Sequence, residues 1–114
     1  MSHVPYAAEL FSGSVTGNGN SSSTPIITKW CKEGVFYLDV TAVGSGTTIT
    51  VDLRTYDSAA DNWHMRARWS GKASVGQDAG HIEFGMGEKM AVFYSFSGGT
   101  TTATFTVNAY LKEF

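Results

Sequence analysis

The sequence predicts an all-β domain, an antiparallel β-sandwich or jelly roll of about eight strands. Three observations point there. Short runs alternate apolar and polar side chains: in Thr47–Tyr56, Ile49, Val51 and Leu53 alternate with Thr50, Asp52 and Arg54. Turn signals made of Gly, Asn, Asp and Ser separate these runs at the spacing of a sandwich or small barrel. No stretch carries helical periodicity long enough to compete.

The elements follow in order. Residues 1–7 read as an extended arm, with a frayed terminus as the alternative. A first strand follows near residues 8–16, then a Ser/Gly/Asn loop to Thr24. Residues 1–24 thus form arm, strand and loop, and residues 25–114 the sandwich body of one domain. Ile26–Cys31 reads as a short strand and Lys32-Glu33-Gly34 as a turn. Val35–Val43 is the strongest β run, with Phe36, Leu38, Val40 and Ala42 on one face and Tyr37, Asp39 and Thr41 on the other. Gly44-Ser45-Gly46 joins it to Thr47–Tyr56 as a hairpin.

Asp57–Asn62 is a second turn. In Trp63–Trp69 the side chains of Trp63, Met65, Ala67 and Trp69 fall on one side. Ser70–Gly80 reads as a polar loop and His81–Phe84 as a short strand. Met90–Phe96 is strongly β, and Gly98-Gly99 turns into a last strand where Ala103, Phe105, Val107, Ala109 and Leu111 alternate with polar residues. Pro5 and Pro25 both lie outside the central strands, as the missing N–H requires. Strands of this kind each offer one apolar face, and two sheets packed about 10 Å apart can dry those faces where one sheet cannot.

Composition bounds the function. With 114 residues the chain fits one domain. Charged residues make up 16%, apolar residues 42%, and the formal net charge is −2. The lysines and arginines are scattered, and only Arg66 and Arg68 sit close, sharing a strand face. That footprint is too weak for nucleic-acid binding. No segment reaches the roughly 18 apolar residues of a membrane span, and no signal-peptide pattern opens the chain. The single cysteine, Cys31, rules out an intrachain disulfide and reads as a small apolar filler.

No constellation for catalysis, cofactor or metal emerges. His3, His64 and His81 lack ligand spacing, and no hydrolase, zinc or phosphate-loop motif is present. Asp57 and Asp61 share a loop and could assist calcium, yet Asp in a hairpin loop usually bonds its own backbone. Asp39 and Asp52 lie on polar strand faces of one hairpin. A general acid/base pair is conceivable there, and solvated strand faces explain them better. The aromatic residues remain. Trp63 and Trp69 fit core packing, while Tyr37, Tyr56 and Tyr110 fall on polar faces and are candidate partner contacts.

The run FYLDVTAVGSGTTITVDLRTYDSAADNW, with the later MAVFYSFSGGTTTATFTVNAYL, resembles small virion structural proteins of tailed bacteriophages. A strand ending in LDVTAV, a Gly-Ser-Gly-Thr turn, an alternating V-D-L strand and an Asp-rich turn closed by Trp carry the likeness. It spans about two thirds of the chain. The resemblance implies a head-decoration, minor capsid or tail component, located in the virion and made in the host cytoplasm. Its partners would be phage capsid or tail proteins, and it would act by docking, as a homo-oligomer, without catalytic residues. The N-terminal arm departs from the pattern. It could add a strand to a neighbour's sheet edge with Tyr6, Leu10 and Phe11 as anchors, in which case residues 1–12 would be dispensable for the fold. A carbohydrate-binding β-sandwich module, stacking sugars on surface Tyr and Trp, is the alternative.

Overall fold

A computed structural model of the chain describes residues 6–113; for residues 6, 79–82 and 84 only the backbone is described. Every regular element is a strand: β1 (Tyr6–Thr16), β2 (Gly19–Asn20), β3 (Ile26–Ile27), β4 (Cys31–Val43), β5 (Thr48–Asp57), β6 (Asn62–Lys72), β7 (Gly76–Phe84), β8 (Lys89–Ser97) and β9 (Thr102–Glu113). One sheet has the order β1-β9-β4-β7. The other has β2-β8-β5-β6, with β3 also paired to β8. All pairings are antiparallel.

The short strands β2 and β3 run in the same direction along β8 and act as one interrupted edge strand. Ser21 bridges the gap: its N–H donates to Val92 O, and its Oγ accepts from Val92 N–H. Counted this way, eight strands form a jelly roll of two interleaved Greek keys, with every connection crossing between the sheets except the β5–β6 hairpin. The predicted fold class and strand number therefore stand.

The core lies between the sheets. Phe36, Val40, Ile49, Val51, Leu53, Val92, Phe105 and Val107 are fully buried, with Phe105 stacked on Phe11 and edge-on to Tyr94. Cys31 joins this cluster as a filler. The β4–β5 and β8–β9 connections both cross between sheets at one end and lock together, so Gly44-Ser45-Gly46 does not close the predicted hairpin: β4 pairs with β7 and β9, and β5 with β6 and β8. There Thr100 N–H donates to Ser45 O and Gly44 N–H to Thr102 O, while Gly17 N–H of a third crossing donates to Thr101 O. Along one open edge, Arg66–Glu83 at 2.9 Å and Lys72–Asp78 at 2.7 Å tie β6 of one sheet to β7 of the other.

Several boundaries differ from the sequence reading, for local reasons. Lys32-Glu33-Gly34 is no turn: β4 runs through it, opposite β9, with a register shift between Cys31 and Glu33. Ile26–Cys31 is not one strand: β3 covers Ile26 and Ile27, residues 28–30 are a turn, and Cys31 opens β4. Ser70–Gly80 is mostly strand, because β6 and β7 extend to a tight connection at residues 73–75.

Bulges reassign several faces. Thr41 is an extra residue in β4, so Ala42 turns outward and Val43 packs against the core. Arg66 is an extra residue in β6. Ala67 and Trp69 therefore face the core, while Met65, 53% exposed, and Trp63 face out. The same bulge separates Arg66 from Arg68, which do not share a face: Arg66 reaches Glu83 and Arg68 reaches Asp52. One inserted residue inverts every side chain beyond it.

At the N-terminus, β1 pairs with β9 from Tyr6 to Thr16. Tyr6 and Ala7, read as part of a free arm, belong to this strand; the rest of the arm lies outside the described residues. A register shift at Leu10 lets both Leu10 and Phe11 turn inward. Removing residues 1–12 would therefore strip core side chains, contrary to the expectation that the fold tolerates it.

Candidate functional site

The outer face of the β1-β9-β4-β7 sheet is built from two cross-strand rows. Asn108 of β9 lies between Glu9 of β1 and Tyr37 of β4; one step along, Tyr110 lies between Ala7 and Val35. Period-two alternation projects all of these away from the core. Tyr37 is 42% and Tyr110 52% exposed. They stand on adjacent strands, two residues out of register, a diagonal of roughly 7–8 Å in a sheet. Between them lies a shallow groove of about 440 Å3 floored by Ala7 and Asn108. On its other side Tyr37 borders a second groove, about 490 Å3, carrying Asp39, Gln77 and Asp78. Further along, paired hydroxyls cover the same face: Ser12–Thr106 at 3.1 Å and Ser14–Thr104 at 2.7 Å.

The sequence-predicted contacts thus divide. Tyr37 and Tyr110 come together. Tyr56 lies on the outer face of the opposite sheet, where its hydroxyl donates to Asp61 Oδ1 at 2.5 Å and its ring packs against Trp63 and under Lys89. Leu10 is 5% exposed and Phe11 stacks on Phe105, so both serve this chain's own core and not a neighbour's sheet. Tyr6 opens β1 opposite Leu111, and its side chain lies outside the described residues. Trp30, one of the chain's aromatic residues but not one of the predicted contacts, is also exposed. It sits in the turn before β4, 62% exposed, with the Lys29 ammonium over its ring. Placing it in a strand hid it; the adjacent Lys-Trp-Cys-Lys polarity was the available signal.

The candidate carboxylates do not come together. Asp39 and Asp52 sit on opposite outer faces of the sandwich and cannot act on one bond. Asp57 accepts the N–H groups of Ala59 and Ala60 and contacts His64 at 3.3 Å. Its pKa is lowered, first by the Ala60 N–H. Among the described residues, no group of three His, Cys, Asp or Glu side chains could hold a metal.

Among the described residues, Asp52 is the one buried carboxylate of the outer faces. It accepts from Arg68 Nε at 2.7 Å and Nη2 at 3.0 Å, and from Arg54 Nη2 at 3.1 Å. Burial pushes its pKa up, but the hydrogen bonds and charges of Arg68 and Arg54 outweigh that and hold it below the ordinary carboxylate value. The folded state then binds fewer protons than the unfolded state as pH falls through this window. Asp52 therefore stabilises above the unfolded pKa, and this contribution disappears as pH drops through the depressed folded value. Asp52→Asn is expected to cost about 1.5–3 kcal/mol at neutral pH, the worth of charge-assisted bonds. Urea denaturation of the variant should show a shallower loss of stability between about pH 5 and pH 2 than the parent shows. Equal slopes would rule out this role for Asp52.

Fold and surface together define the class: a jelly-roll β-sandwich with two unlike outer faces, one with exposed tyrosines and paired hydroxyls, the other with arginine–carboxylate pairs beside a Tyr56–Trp63–Phe93 cluster. No protein-family model matches the chain, and no curated protein matches it in sequence. Among solved structures it is similar to the SPBc2 prophage-derived protein YomS, with a TM-score of 0.60 and 10% identity over 99% of this chain and 96% of that one. It is also similar to the Eiger TNF of S. frugiperda, with a TM-score of 0.58 and 11% identity over 96% and 93% of the two chains. At these identities the likeness establishes a shared fold.

Proposed function

We propose that this chain is a non-enzymatic virion structural protein that docks on a phage capsid or tail and assembles as a homo-oligomer through the tyrosine face. The observation that carries the reading is the pairing of Tyr37 and Tyr110, both strongly exposed, across adjacent strands over a groove. Tyrosine is a favoured interface anchor: it supplies broad apolar area with a polar tip. The surrounding hydroxyl pairs keep the face soluble until it is covered. Full-length structural similarity to a prophage-derived protein supports the assignment at the level of fold.

The expected result is an oligomer by light scattering at micromolar concentration. Tyr37→Glu with Tyr110→Glu should convert it to monomer while leaving its melting temperature nearly unchanged, because exposed substitutions usually cost less than about 0.5 kcal/mol. Quantitative mass spectrometry of particles from the source should find the chain in many copies. A parent protein that is monomeric and absent from particles would end the proposal.

A second reading has one observation behind it. The groove beside Tyr37 carries Asp39, Gln77 and Asn108, which suit sugar hydroxyls next to a stacking ring. Saturable quenching of intrinsic fluorescence by one class of neutral sugar, lost in Tyr37→Ala, would favour a carbohydrate-binding module.

A further inference from the structure

On the opposite sheet, the outer surface of β2, β8 and β5 forms a groove of about 310 Å3. Its rims are Asn18 and Asn20 on one side and Arg54 on the other. Phe93 forms its floor, and the exposed Ser95 closes one end. The hydrogen bonding of these residues is lopsided. Asn18 Oδ1 accepts the N–H of Phe96 at 2.9 Å. Asn20 Oδ1 accepts the N–H of Ser22 at 3.0 Å and its hydroxyl at 2.6 Å. A backbone N–H can only donate, so the oxygen of each amide is fixed: Asn20 Oδ1 accepts two bonds and leaves its NH2 group to offer, while Asn18 Oδ1 accepts one and leaves its NH2 group and one lone pair.

Arg54 has the same bias. Its guanidinium carbon lies over the Phe93 ring, 4.5 Å from the centroid. It gives Nη2 to Asp52, while its buried Nε has no acceptor among the described residues. Asp52, the one carboxylate among the described residues that border the groove, accepts from Arg54 and Arg68 at both oxygens. The Arg54 guanidinium brings a positive charge to the wall of the groove, and Asp52 binds it through Nη2. The groove therefore presents donors, positive charge and an aromatic floor.

We propose that this groove binds a small organic carboxylate, its two oxygens between the Arg54 guanidinium and the amides of Asn18 and Asn20, and its carbon skeleton over Phe93. A planar, two-oxygen anion matches a guanidinium fork, and charge-assisted bonds are the stronger kind. The site is open, so binding in the millimolar range is expected. None of its residues belongs to the tyrosine face, and the two proposals stand or fall separately.

The test is a titration of the full chain, labelled with 15N, by glucuronate and by glutarate, against glucuronamide and glutaramide as neutral matches. The side-chain NH2 signals of Asn18 and Asn20 and the Arg54 Nε–H signal should shift saturably with the carboxylates and not with the amides. The tighter of the two acids identifies the source, sugar or acyl chain. Asn18→Asp and Asn20→Asp keep the accepting oxygen, and so the local fold, but replace a donor with negative charge. Each should weaken binding roughly tenfold or more, with an unchanged melting temperature showing that the fold is intact. No shift with either acid, equal shifts with the amides, or unaltered affinity in both variants would overturn the proposal.

Discussion

Phe105→Ala should lower stability by about 3–5 kcal/mol, the usual cost of emptying a buried aromatic site. Phe105 is fully buried on β9, the strand between β1 and β4. Its ring stacks on Phe11 at 4.7 Å and meets Tyr94 at 5.5 Å, so one truncation opens contacts in both sheets and with the N-terminal strand. For a domain of this size the loss corresponds to a fall of roughly 10–20 °C in melting temperature. Its neighbour Thr104 faces outward and shares a hydroxyl bond with Ser14. Thr104→Ala should cost less than about 1 kcal/mol. Thermal and urea denaturation of the pair would check this, and equal losses would mean that the faces of β9 are assigned wrongly.

Gly99→Ala should be the second most damaging change, at about 3 kcal/mol. Gly99 has a φ of 44°, in the left-handed region, at the crossing from β8 to β9. A Cβ there would lie 2.2 Å from Ser45 O and 2.4 Å from the Gly46 carbonyl carbon. Both obstacles are backbone of the β4–β5 turn, so no side chain can swing aside. Gly71→Ala is the control. Its φ is 58°, yet a Cβ there would meet nothing within 4 Å. It should pay only the conformational cost, about 1–2 kcal/mol. The difference between the two measures the interlock of the turns. Equal losses by chemical denaturation would show that the two crossings are not packed against each other.

How much of this was legible in sequence can be judged residue by residue. Ile49, Val51 and Leu53 point inward as their alternation predicts, and so do Phe36, Leu38 and Val40. Ala42, Met65 and Trp63 do not. In each case a single bulged residue, Thr41 or Arg66, inverts the pattern partway along a strand. Alternation is read from one strand, but a bulge is a mismatch in count between two strands, and the partner's register is invisible locally. Leu10 and Phe11 were misread for a related reason: apolar residues near a terminus look like anchors until β9 is seen beside them. Tyr37 and Tyr110 were each legible as outward-facing. Their adjacency was not, because 73 residues separate them in the chain.

By itself the sequence determined the class of fold, the alternation of most strands and the turns that end them, since each depends on neighbours only a few residues apart. The tertiary structure alone decided which strands pair, which aromatic residues share a face, and that the carbonyl oxygens of Asn18 and Asn20 are turned to Phe96 and Ser22, leaving NH2 donors opposite Arg54. Those features arise where distant segments meet. Their energies depend on geometry across the sheets, which no local pattern of residues encodes.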